Sequence, residues 1–342
     1  MKESQNILIV QTAFIGDVIL ITPLIKAVAK LFPNAKIDVM VVSEAAILLK
    51  NNPYVQEVIV DEKRKNVLLS TLQLIQQIKA KHYDLALTPH SSFRSHLILY
   101  LSKIPERIGF DRGSAKWMLT KKIEHPVGPH KIVKNLDLLK PFSDQEFDLQ
   151  TELFPSANDK QKADELLKPL SKKTLIAIAP GSIWKTKCWE LKSYISLCRK
   201  LLDNDYGIVL IGGGSDKPQC DEIEYAMGKN NAKLINLAGV TNLLESAAVI
   251  EKCSLMICND SGAMHIANAM QIMTFAFFGP TVQKFGYYPY REGDRVFEVD
   301  LNCRPCGSHG SKKCPQKHHN CMKNIEVETV FQAVKSTLPR IE

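Results

Sequence analysis

The stretch NILIVQTAFIGDVILITP, residues 6–23, contains the pattern that decides the fold. An apolar run of strand-forming residues from Ile7 to Val10 leads into a turn that contains Gly16, and then into an apolar helical segment. This order of strand, turn and helix is typical of α/β proteins built on parallel sheets. Such a turn usually binds a phosphate at the start of its helix, yet here it carries a carboxylate, Asp17. The sequence therefore poses the question of what a negative charge does at the end of the first strand.

Short apolar runs and amphipathic segments alternate along the rest of the chain. They predict strands at 6–11, 36–42, 55–60, 84–88 and 107–110, and then at 173–179, 206–211, 233–236, 254–258 and 272–278. Two sets of five strands fit two packed αβα domains better than one sheet. We place the linker at 142–158, where the pattern is weakest, and predict an N-terminal domain at 1–150, a C-terminal domain at 151–324 and a closing helix within 325–342.

The composition narrows the class of protein. The chain of 342 residues is longer than one hydrophobic core usually supports, and 45% of its residues are hydrophobic, enough for two cores. No apolar stretch approaches the roughly 20 residues of a membrane span, and the polar N-terminus lacks the pattern of a signal peptide, so we expect a cytoplasmic protein. The net charge of +8 suits anionic partners, among them nucleotides, phosphorylated lipids, membrane surfaces and nucleic acid, without selecting one.

The loop ICNDSGAMHIANA, residues 257–269, is a candidate phosphate site. A strand of buried type ends at Asp260, Ser261 and Gly262 turn the chain, and a helix follows with His265 in its first turn. Unpaired N–H groups at the start of a helix carry partial positive charge and stabilise a diphosphate. Ordinary helix capping by Asp260 or Ser261 explains the same residues, so the local sequence leaves both interpretations open.

Two further loops follow predicted strands in the second half. In APGSIWKTKCW, residues 179–189, Ser182 lies in the turn and Lys187 can reach an anionic oxygen as a mobile point charge. A solvated basic loop with packed tryptophans is the alternative. The loop IGGGSDK, residues 211–217, lacks the G-x-G-x-x-G spacing of a dinucleotide site, which leaves a tight turn with Asp216 as a candidate ribose contact.

An anion site in the second half suggests a role for Asp17 in the first. Its carboxylate would accept a proton from an attacking hydroxyl, and such a base typically contributes about 10²- to 10⁴-fold to a rate. Alternatively, Asp17 only complements the dipole of the helix that follows it. The residues alone leave both roles open.

Four of the nine cysteines lie near the C-terminus, at Cys303, Cys306, Cys314 and Cys321, among three histidines. These ligand types and short spacings are consistent with a structural zinc site, although the second pair of cysteines lacks the C-x2-C spacing. A packed loop without metal, or labile disulfides, explain the pattern equally well.

Four segments, taken in order, resemble the lipopolysaccharide heptosyltransferases, a branch of glycosyltransferase family 9. They are ILIVQTAFIGDVILITPLIKAVAKLFPNAKIDVMV, IAPGSIWKTKCWEL, CNDSGAMHIANAMQIMTFAFFGPT and CRPC...CPQKHHNCM. The similarity extends from about residue 6 to residue 335. The GD turn, the PG-x-x-W-x-x-K-x-W loop and the NDSG-x-x-H loop are each weak signals, and their combination is specific.

The resemblance implies a GT-B fold, in which two Rossmann-like αβα domains face a central cleft. The N-terminal domain would bind the acceptor and the C-terminal domain the nucleotide-sugar, with the closing helix packed back on the N-terminal domain. The implied reaction is an inverting transfer of heptose from ADP-L-glycero-D-manno-heptose to the inner-core heptose/Kdo region of lipid A-linked lipopolysaccharide. It would take place at the cytoplasmic face of the inner membrane, with peripheral contact to the anionic membrane. The cysteine-rich segment is more similar to the second heptosyltransferase than to the first.

The resemblance also implies roles for residues at matching positions. Asp17 would be the general base, and Lys187 would neutralise the leaving diphosphate. The donor-binding residues would be Ser182, Asp216, Asp260, Ser261, Gly262 and His265. Positive helix ends and Lys187 would stabilise the departing ADP, so we expect no metal requirement for catalysis.

Two alternative functions, one of them from a different class, fit parts of the sequence. A family 9 transferase for another nucleotide-sugar is the closest alternative, because one sequence does not reveal the sugar pocket. A basic, zinc-containing nucleic-acid-binding protein would cluster its cations with aromatic residues. Here the charges are spread through the helices and aromatic residues make up only 7%, so we expect no nucleic-acid partner.

Overall fold

The chain folds as two compact units, Met1–Phe154 and Pro155–Glu342. The structure is a computed structural model that describes residues 6–62, 67–228 and 231–338. The boundary between the units falls within the linker predicted at 142–158. The polar N-terminus before residue 6 and the last four residues of the predicted C-terminal segment lie outside the described residues.

The first unit contains a six-stranded parallel sheet with the strand order β3-β2-β1-β4-β5-β6. Its strands are β1 Asn6–Gln11, β2 Lys36–Val42, β3 Glu57–Asp61, β4 Leu85–Thr88, β5 Glu106–Phe110 and β6 Lys121–Ile123. Its helices are α1 Ile15–Ile19, α2 Thr22–Leu31, α3 Ser43–Ala46, α4 Val67–Ala80, α5 Phe93–Leu101 and α6 Lys131–Leu136. Short 3-10 helices lie at Ile47–Leu49, Lys116–Met118 and Asp137–Leu139.

The second unit contains another six-stranded parallel sheet, with the order β12-β11-β10-β7-β8-β9. Its strands are β7 Leu175–Ala179, β8 Gly207–Leu210, β9 Leu234–Asn236, β10 Leu255–Asn259, β11 Thr274–Phe278 and β12 Arg295–Glu298. Its helices are α7 Ala157–Leu167, α8 Leu191–Asp203, α9 Lys217–Ala226, α10 Leu243–Glu251, α11 Gly262–Ala269, α12 Asn320–Lys323 and α13 Val327–Thr337. Short 3-10 helices lie at Lys168–Leu170, Lys185–Lys187 and Gln283–Phe285.

The central strands are buried on both faces, as in sheets covered by helices on each side. Residues Ile7–Val10 of β1 are completely buried, and β7, β10 and β11 are buried along their whole length. Together with the parallel order of the strands, this confirms the predicted class of two Rossmann-like αβα domains.

Each sheet has one more strand than the sequence predicted. The additional strands, β6 and β12, lie at the sheet edges. Lys121 and Lys122 of β6 are exposed, and so is Arg295, the first residue of β12. Edge strands face solvent and carry charges, so they lack the apolar run from which the other strands were predicted.

The closing helix completes the core of the second unit, and its packing on the N-terminal domain stays a prediction. Helix α13 packs against α8 within the second unit. Val330 and Val334 are completely buried there, and Phe331 is nearly so, in the same core as Trp189. Apolar residues three and four apart form one face of the helix, and this face completes the core of the second unit. In the described part of the chain, none of the helices has the length and apolar character needed to cross a membrane.

The strand order places the candidate loops at the carboxyl ends of strands near the centre of each sheet. In both sheets the first strand lies near the centre and the chain winds outward in both directions from it, as in doubly wound folds. The winding reverses between β1 and β4 in the first unit and between β7 and β10 in the second. Ligands of such sheets bind beside the carboxyl ends of the strands at this reversal. The loops after β1, β7 and β10 are therefore the candidate positions for a site.

Candidate functional site

In the first unit, Asp17 lies just beyond the carboxyl end of β1, in the first turn of the short helix α1. The next helix begins at Thr22, whose hydroxyl donates to the carbonyl of Ile19 at 2.8 Å. The side-chain amide of Asn135, on α6, donates to the carbonyl of Leu20 at 2.9 Å. These two bonds hold the backbone that follows Asp17, so the half-buried carboxylate has a defined place at the edge of the sheet.

A lysine that the sequence analysis did not single out lies in the electrostatic environment of Asp17. Lys131 is the first residue of α6 and is only 7% exposed. Burial lowers its pKa to about 8, while the negative charge of Asp17 acts in the opposite direction. Only the spacing of two lysines on one helical segment, Lys131 and Lys134, hinted at a basic cluster.

In the second unit, Lys187 and Asp260 form a buried ion pair. The Nζ atom of Lys187 is 2.6 Å from Oδ2 of Asp260, and the two side chains are 13% and 8% exposed. The hydroxyl of Thr281 donates to the same carboxylate oxygen at 2.7 Å. The structure thus joins the loop after β7 to the loop after β10, and it presents an ammonium group beside the N-terminus of α11.

Asn259, the last residue of β10, connects the same two loops through its side chain. Its amide nitrogen donates to the carbonyls of Pro180 and Gly181 at 2.7 and 3.2 Å. Its amide oxygen accepts from the backbone N–H of Trp189 at 2.9 Å and from the hydroxyl of Tyr194 at 3.0 Å. Asn259 is completely buried and uses both ends of its amide, so it fixes the path of the lysine-bearing loop.

The residues predicted at the start of α11 lie together. Ser261 has the extended backbone of an N-cap residue, Gly262 begins the helix and His265 is buried one turn further along. The hydroxyl of Ser261 makes no capping bond, and it is one of the buried oxygens that have no hydrogen-bond partner within the described residues. A buried hydroxyl at a positive helix end, next to a lysine, is the arrangement that an oxyanion ligand would complete.

The two remaining predicted donor contacts lie in the neighbouring loops. Ser182 is partly exposed and directly follows Gly181. Asp216 accepts a hydrogen bond from the N–H of Gly213 at 2.9 Å. A methyl group added at Gly181 would come within 2.2 Å of the Asp216 carboxylate, so the glycine allows this close approach. Asp216 therefore stabilises the turn of its own loop and lies close against the loop after β7, and a contact with ribose remains a prediction.

The cysteine-rich segment supports the lysine loop, a role that the sequence analysis did not foresee. The hydroxyl of Thr186 donates to the carbonyl of Ser311 at 2.9 Å and accepts from the N–H of Ser311 at 2.8 Å. The N–H of Thr186 donates to the same carbonyl at 3.1 Å. Nε2 of His319 lies 2.8 Å from the carbonyl of Thr186. Because Thr186 directly precedes Lys187, this network positions the ammonium group.

The four clustered cysteines are near one another, and a structural zinc site among them stays one of the alternatives. Burial, followed by the charges of Cys303 and Cys314, raises the pKa of the Cys306 thiol. Burial also raises the pKa of Cys321 to about 11. The thiol of Cys306 donates to the carbonyl of Cys303 at 3.1 Å. Within the described residues no three histidine, cysteine or acidic side chains are arranged to hold a metal ion.

The comparisons with known proteins agree on one family. Residues 71–317 match the profile of glycosyltransferase family 9 (heptosyltransferase). Lipooligosaccharide heptosyltransferase 2 of Campylobacter jejuni is 28% identical over 328 residues, which cover 94% of this chain and 96% of that protein. The structure of Escherichia coli ADP-heptose LPS heptosyltransferase II has a TM-score of 0.82 and 26% identity, covering 97% of this chain and 98% of that one. The structure of E. coli heptosyltransferase WaaC with ADP-2-deoxy-2-fluoro heptose has a TM-score of 0.73 and 17% identity, with 98% and 100% covered, and shows likeness of fold.

Proposed function

Since the chain belongs to glycosyltransferase family 9, we propose that it transfers heptose from ADP-L-glycero-D-manno-heptose to the inner-core heptose/Kdo region of lipid A-linked lipopolysaccharide. The observation that carries the proposal is the buried Lys187–Asp260 pair beside the unpartnered hydroxyl of Ser261. This group of residues lies at a positive helix end, where a diphosphate is stabilised. The similarity to heptosyltransferases named as type 2 supports an acceptor that already carries a heptose.

The second unit binds the donor in this proposal. The diphosphate lies against the N-terminus of α11, with backbone N–H groups near Gly262 and the ammonium of Lys187 as its positive partners. Negative charge grows on the ADP as its bond to the sugar breaks, so these fixed positive groups bind the transition state more tightly than the ground state. Ser182, Asp216 and His265 complete the donor contacts.

The first unit binds the acceptor and provides the base. As the acceptor hydroxyl attacks the anomeric carbon, Asp17 takes its proton and the bond from that carbon to ADP breaks. Attack opposite the leaving group inverts the configuration of the sugar. Asp17 suits this role because it is half-buried, lies at the carboxyl edge of β1 and has a firmly held backbone. The acceptor is lipid-linked, which places the protein at the cytoplasmic face of the inner membrane as a peripheral protein that contacts anionic lipid.

The decisive experiment incubates the protein with ADP-heptose and truncated core acceptors and follows the product by mass. We expect one added heptose, and proton NMR of the product gives the anomeric configuration. UDP- and GDP-sugars under the same conditions test the closest alternative, a family 9 transferase for another donor. Transfer from one of these sugars, with none from ADP-heptose, would contradict the proposed donor. A short duplex DNA tests the nucleic-acid alternative by gel shift, and we expect no shift.

The proposal assigns all the catalytic positive charge to protein groups, so chelation should leave the rate unchanged. We expect activity in EDTA to equal that in buffer, because Lys187 and α11 stabilise the leaving group. Metal analysis of protein purified without a histidine tag tests the cysteine cluster separately. With the thiols arranged as observed, we expect less than about half an equivalent of zinc. A full equivalent would show that Cys303, Cys306, Cys314 and Cys321 close around a metal.

The network around Thr186 gives a further prediction. Thr186→Val keeps the shape of the side chain but leaves the part-buried N–H of Ser311 without its partner, which should cost about 1 kcal/mol of unfolding free energy. It should also weaken ADP binding, because Lys187 loses its support. Urea unfolding and calorimetry with ADP measure the two effects. Thr186→Ser, which keeps the hydroxyl, is the matched control, and wild-type values for Thr186→Val would show that the network does not position Lys187.

A further inference from the structure

A cavity of about 380 Å³ lies in the second unit, beside the loop that carries Lys187. Four of its lining residues are lysines: Lys185 from that loop, and Lys312, Lys313 and Lys317 from the cysteine-rich segment. All four are exposed, so a ligand can reach them from solvent. Within the described residues, no acidic side chain lines the cavity. Its volume is in the range of roughly 300–1,000 Å³ that is typical of small-molecule sites.

Hydrogen bonds and close packing hold together the two segments that form the cavity. The backbone and hydroxyl of Thr186 share three hydrogen bonds with Ser311. The hydroxyl of Ser311 also donates to the carbonyl of Lys313 at 2.7 Å. A methyl group added at Gly310 would come within 2.5 Å of Cβ of Trp184, so this glycine lets the segments pack closely. The lysines therefore extend from a backbone that is already held in place, which lowers the entropic cost of binding a ligand.

The four lysines of the cavity have no carboxylate partner within the described part of the chain. The neighbouring Lys187, by contrast, lies 2.6 Å from the carboxylate of Asp260. Like charges repel one another, and four ammonium groups around one cavity without a carboxylate are unfavourable by themselves. A bound anion would offset this repulsion.

We propose that this cavity is a second anion site, which binds a phosphate monoester through Lys185, Lys312, Lys313 and Lys317. The site goes beyond heptose transfer and does not depend on it. A phosphate monoester carries about 1.5 to 2 negative charges near neutral pH, so it balances several ammonium groups better than a carboxylate does. Lysine reaches phosphate oxygens as a mobile point charge, without the fixed geometry of arginine. A soluble phosphate ester and the head group of a phosphomonoester lipid both present this group.

The cavity is separate from the proposed donor site. Lys185–Lys187 forms a 3-10 helix, in which three residues complete one turn, so Lys185 and Lys187 lie on different faces. The ammonium of Lys187 pairs with Asp260 beside the start of α11, and Lys187 does not line the cavity. The donor diphosphate and the phosphate monoester would therefore bind on different faces of one short helix.

Calorimetry with glycerol 3-phosphate, in buffer without phosphate, tests the site in the full chain. The triple variant Lys312→Gln/Lys313→Gln/Lys317→Gln should bind this probe about 10- to 100-fold more weakly than the wild type, because three charged contacts are lost. Its affinity for ADP should be unchanged, since Lys187 and α11 are intact. Wild-type affinity for glycerol 3-phosphate in the triple variant would overturn the proposal. A parallel loss of ADP affinity would make the cavity part of the donor site and would overturn it too.

A second triple variant controls for net charge. Lys168→Gln/Lys172→Gln/Lys192→Gln removes exposed lysines of the same unit that do not line the cavity, and it should bind glycerol 3-phosphate as the wild type does. Equal weakening in both triple variants would show a general charge effect and no site. Lys185→Gln, on the other segment, should weaken binding about 3-fold or more. It replaces the first triple variant if circular dichroism shows that this variant does not fold.

Co-sedimentation with phosphatidylcholine vesicles distinguishes the two sources of the phosphate. Vesicles with phosphatidic acid present a phosphate monoester, and vesicles with phosphatidylglycerol present a diester as the control. Binding to phosphatidic acid that requires the cavity lysines and is competed by glycerol 3-phosphate assigns the site to a lipid head group. Binding of glycerol 3-phosphate without binding to vesicles assigns it to a soluble ester.

Two results with the wild type would contradict the site itself. Binding of neither glycerol 3-phosphate nor phosphatidic acid vesicles would overturn the proposal. Equal binding to phosphatidylglycerol vesicles would contradict recognition of a monoester. If the wild type transfers no heptose, the proposed function fails, while these binding measurements still decide the anion site.

Discussion

Asp17→Asn is expected to lower kcat by about 10²- to 10⁴-fold while leaving the affinity for ADP-heptose unchanged. Asparagine has nearly the same shape and cannot take the proton from the acceptor hydroxyl. Donor affinity is retained because Asp17 and the proposed donor residues belong to different units of the chain. Single-turnover kinetics with saturating acceptor measure the chemical step, and calorimetry with ADP measures donor binding.

The control for Asp17→Asn is Asp144→Asn, which removes an exposed carboxylate from the same unit and should turn over at the wild-type rate. Circular dichroism and thermal melting establish that both variants fold. Wild-type turnover in Asp17→Asn would assign this residue to the structural role of complementing the dipole of α1. Loss of donor affinity together with turnover would also contradict the assigned division between base and donor site.

Lys187→Met is expected to lower kcat by about 10²- to 10³-fold and to weaken ADP-heptose binding. In the proposed mechanism the ammonium neutralises charge that grows on the diphosphate, so its loss should affect the transition state most. The substitution also leaves the buried carboxylate of Asp260 without its cation. Removing one member of a buried ion pair typically costs about 3–5 kcal/mol of unfolding free energy, so stability should fall as well.

A double variant separates the two effects of Lys187→Met. Adding Asp260→Asn removes the uncompensated charge, so Lys187→Met/Asp260→Asn should recover most of the unfolding free energy and none of the turnover. Lys192→Met, which changes a strongly exposed lysine on α8, should be wild-type in both assays. If the double variant recovered turnover along with stability, Lys187 would act only by maintaining the fold. Urea unfolding and initial rates distinguish these results.

Much of the candidate site was predictable because its signals are local. The motif residues follow strands that were recognisable from their apolar runs, as with Asp17 after β1 and Ser261 after β10. Asn259 has a role that local sequence signals do not reveal. It is part of the predicted NDSG loop, yet its four hydrogen bonds reach residues on another segment of the chain. Its role as the connector of two loops therefore depends on strands β7 and β10 being neighbours.

Other features left almost no signal in the local sequence. The support of Thr186 by Ser311 joins two loops far apart in sequence, and serine and threonine occur in loops of every kind. Lys131 resembles a surface lysine because its sequence neighbours do not show that helix α6 turns it inward. The packing of α13 on α8 is equally hidden, since an amphipathic helix shows that it has an apolar face but not which core receives it.

The sequence by itself determined two parallel-sheet halves and the loops proposed for phosphate and proton chemistry. Burial on both faces and chain turns leave a local pattern of apolar runs and small residues. The tertiary structure alone decided that Lys187 pairs with Asp260 and that Lys131 comes to the surroundings of Asp17. Local periodicity specifies which face of each element is buried. Which loops then meet depends on strand order and helix packing, and these follow from the free energy of the whole domain rather than from any one segment.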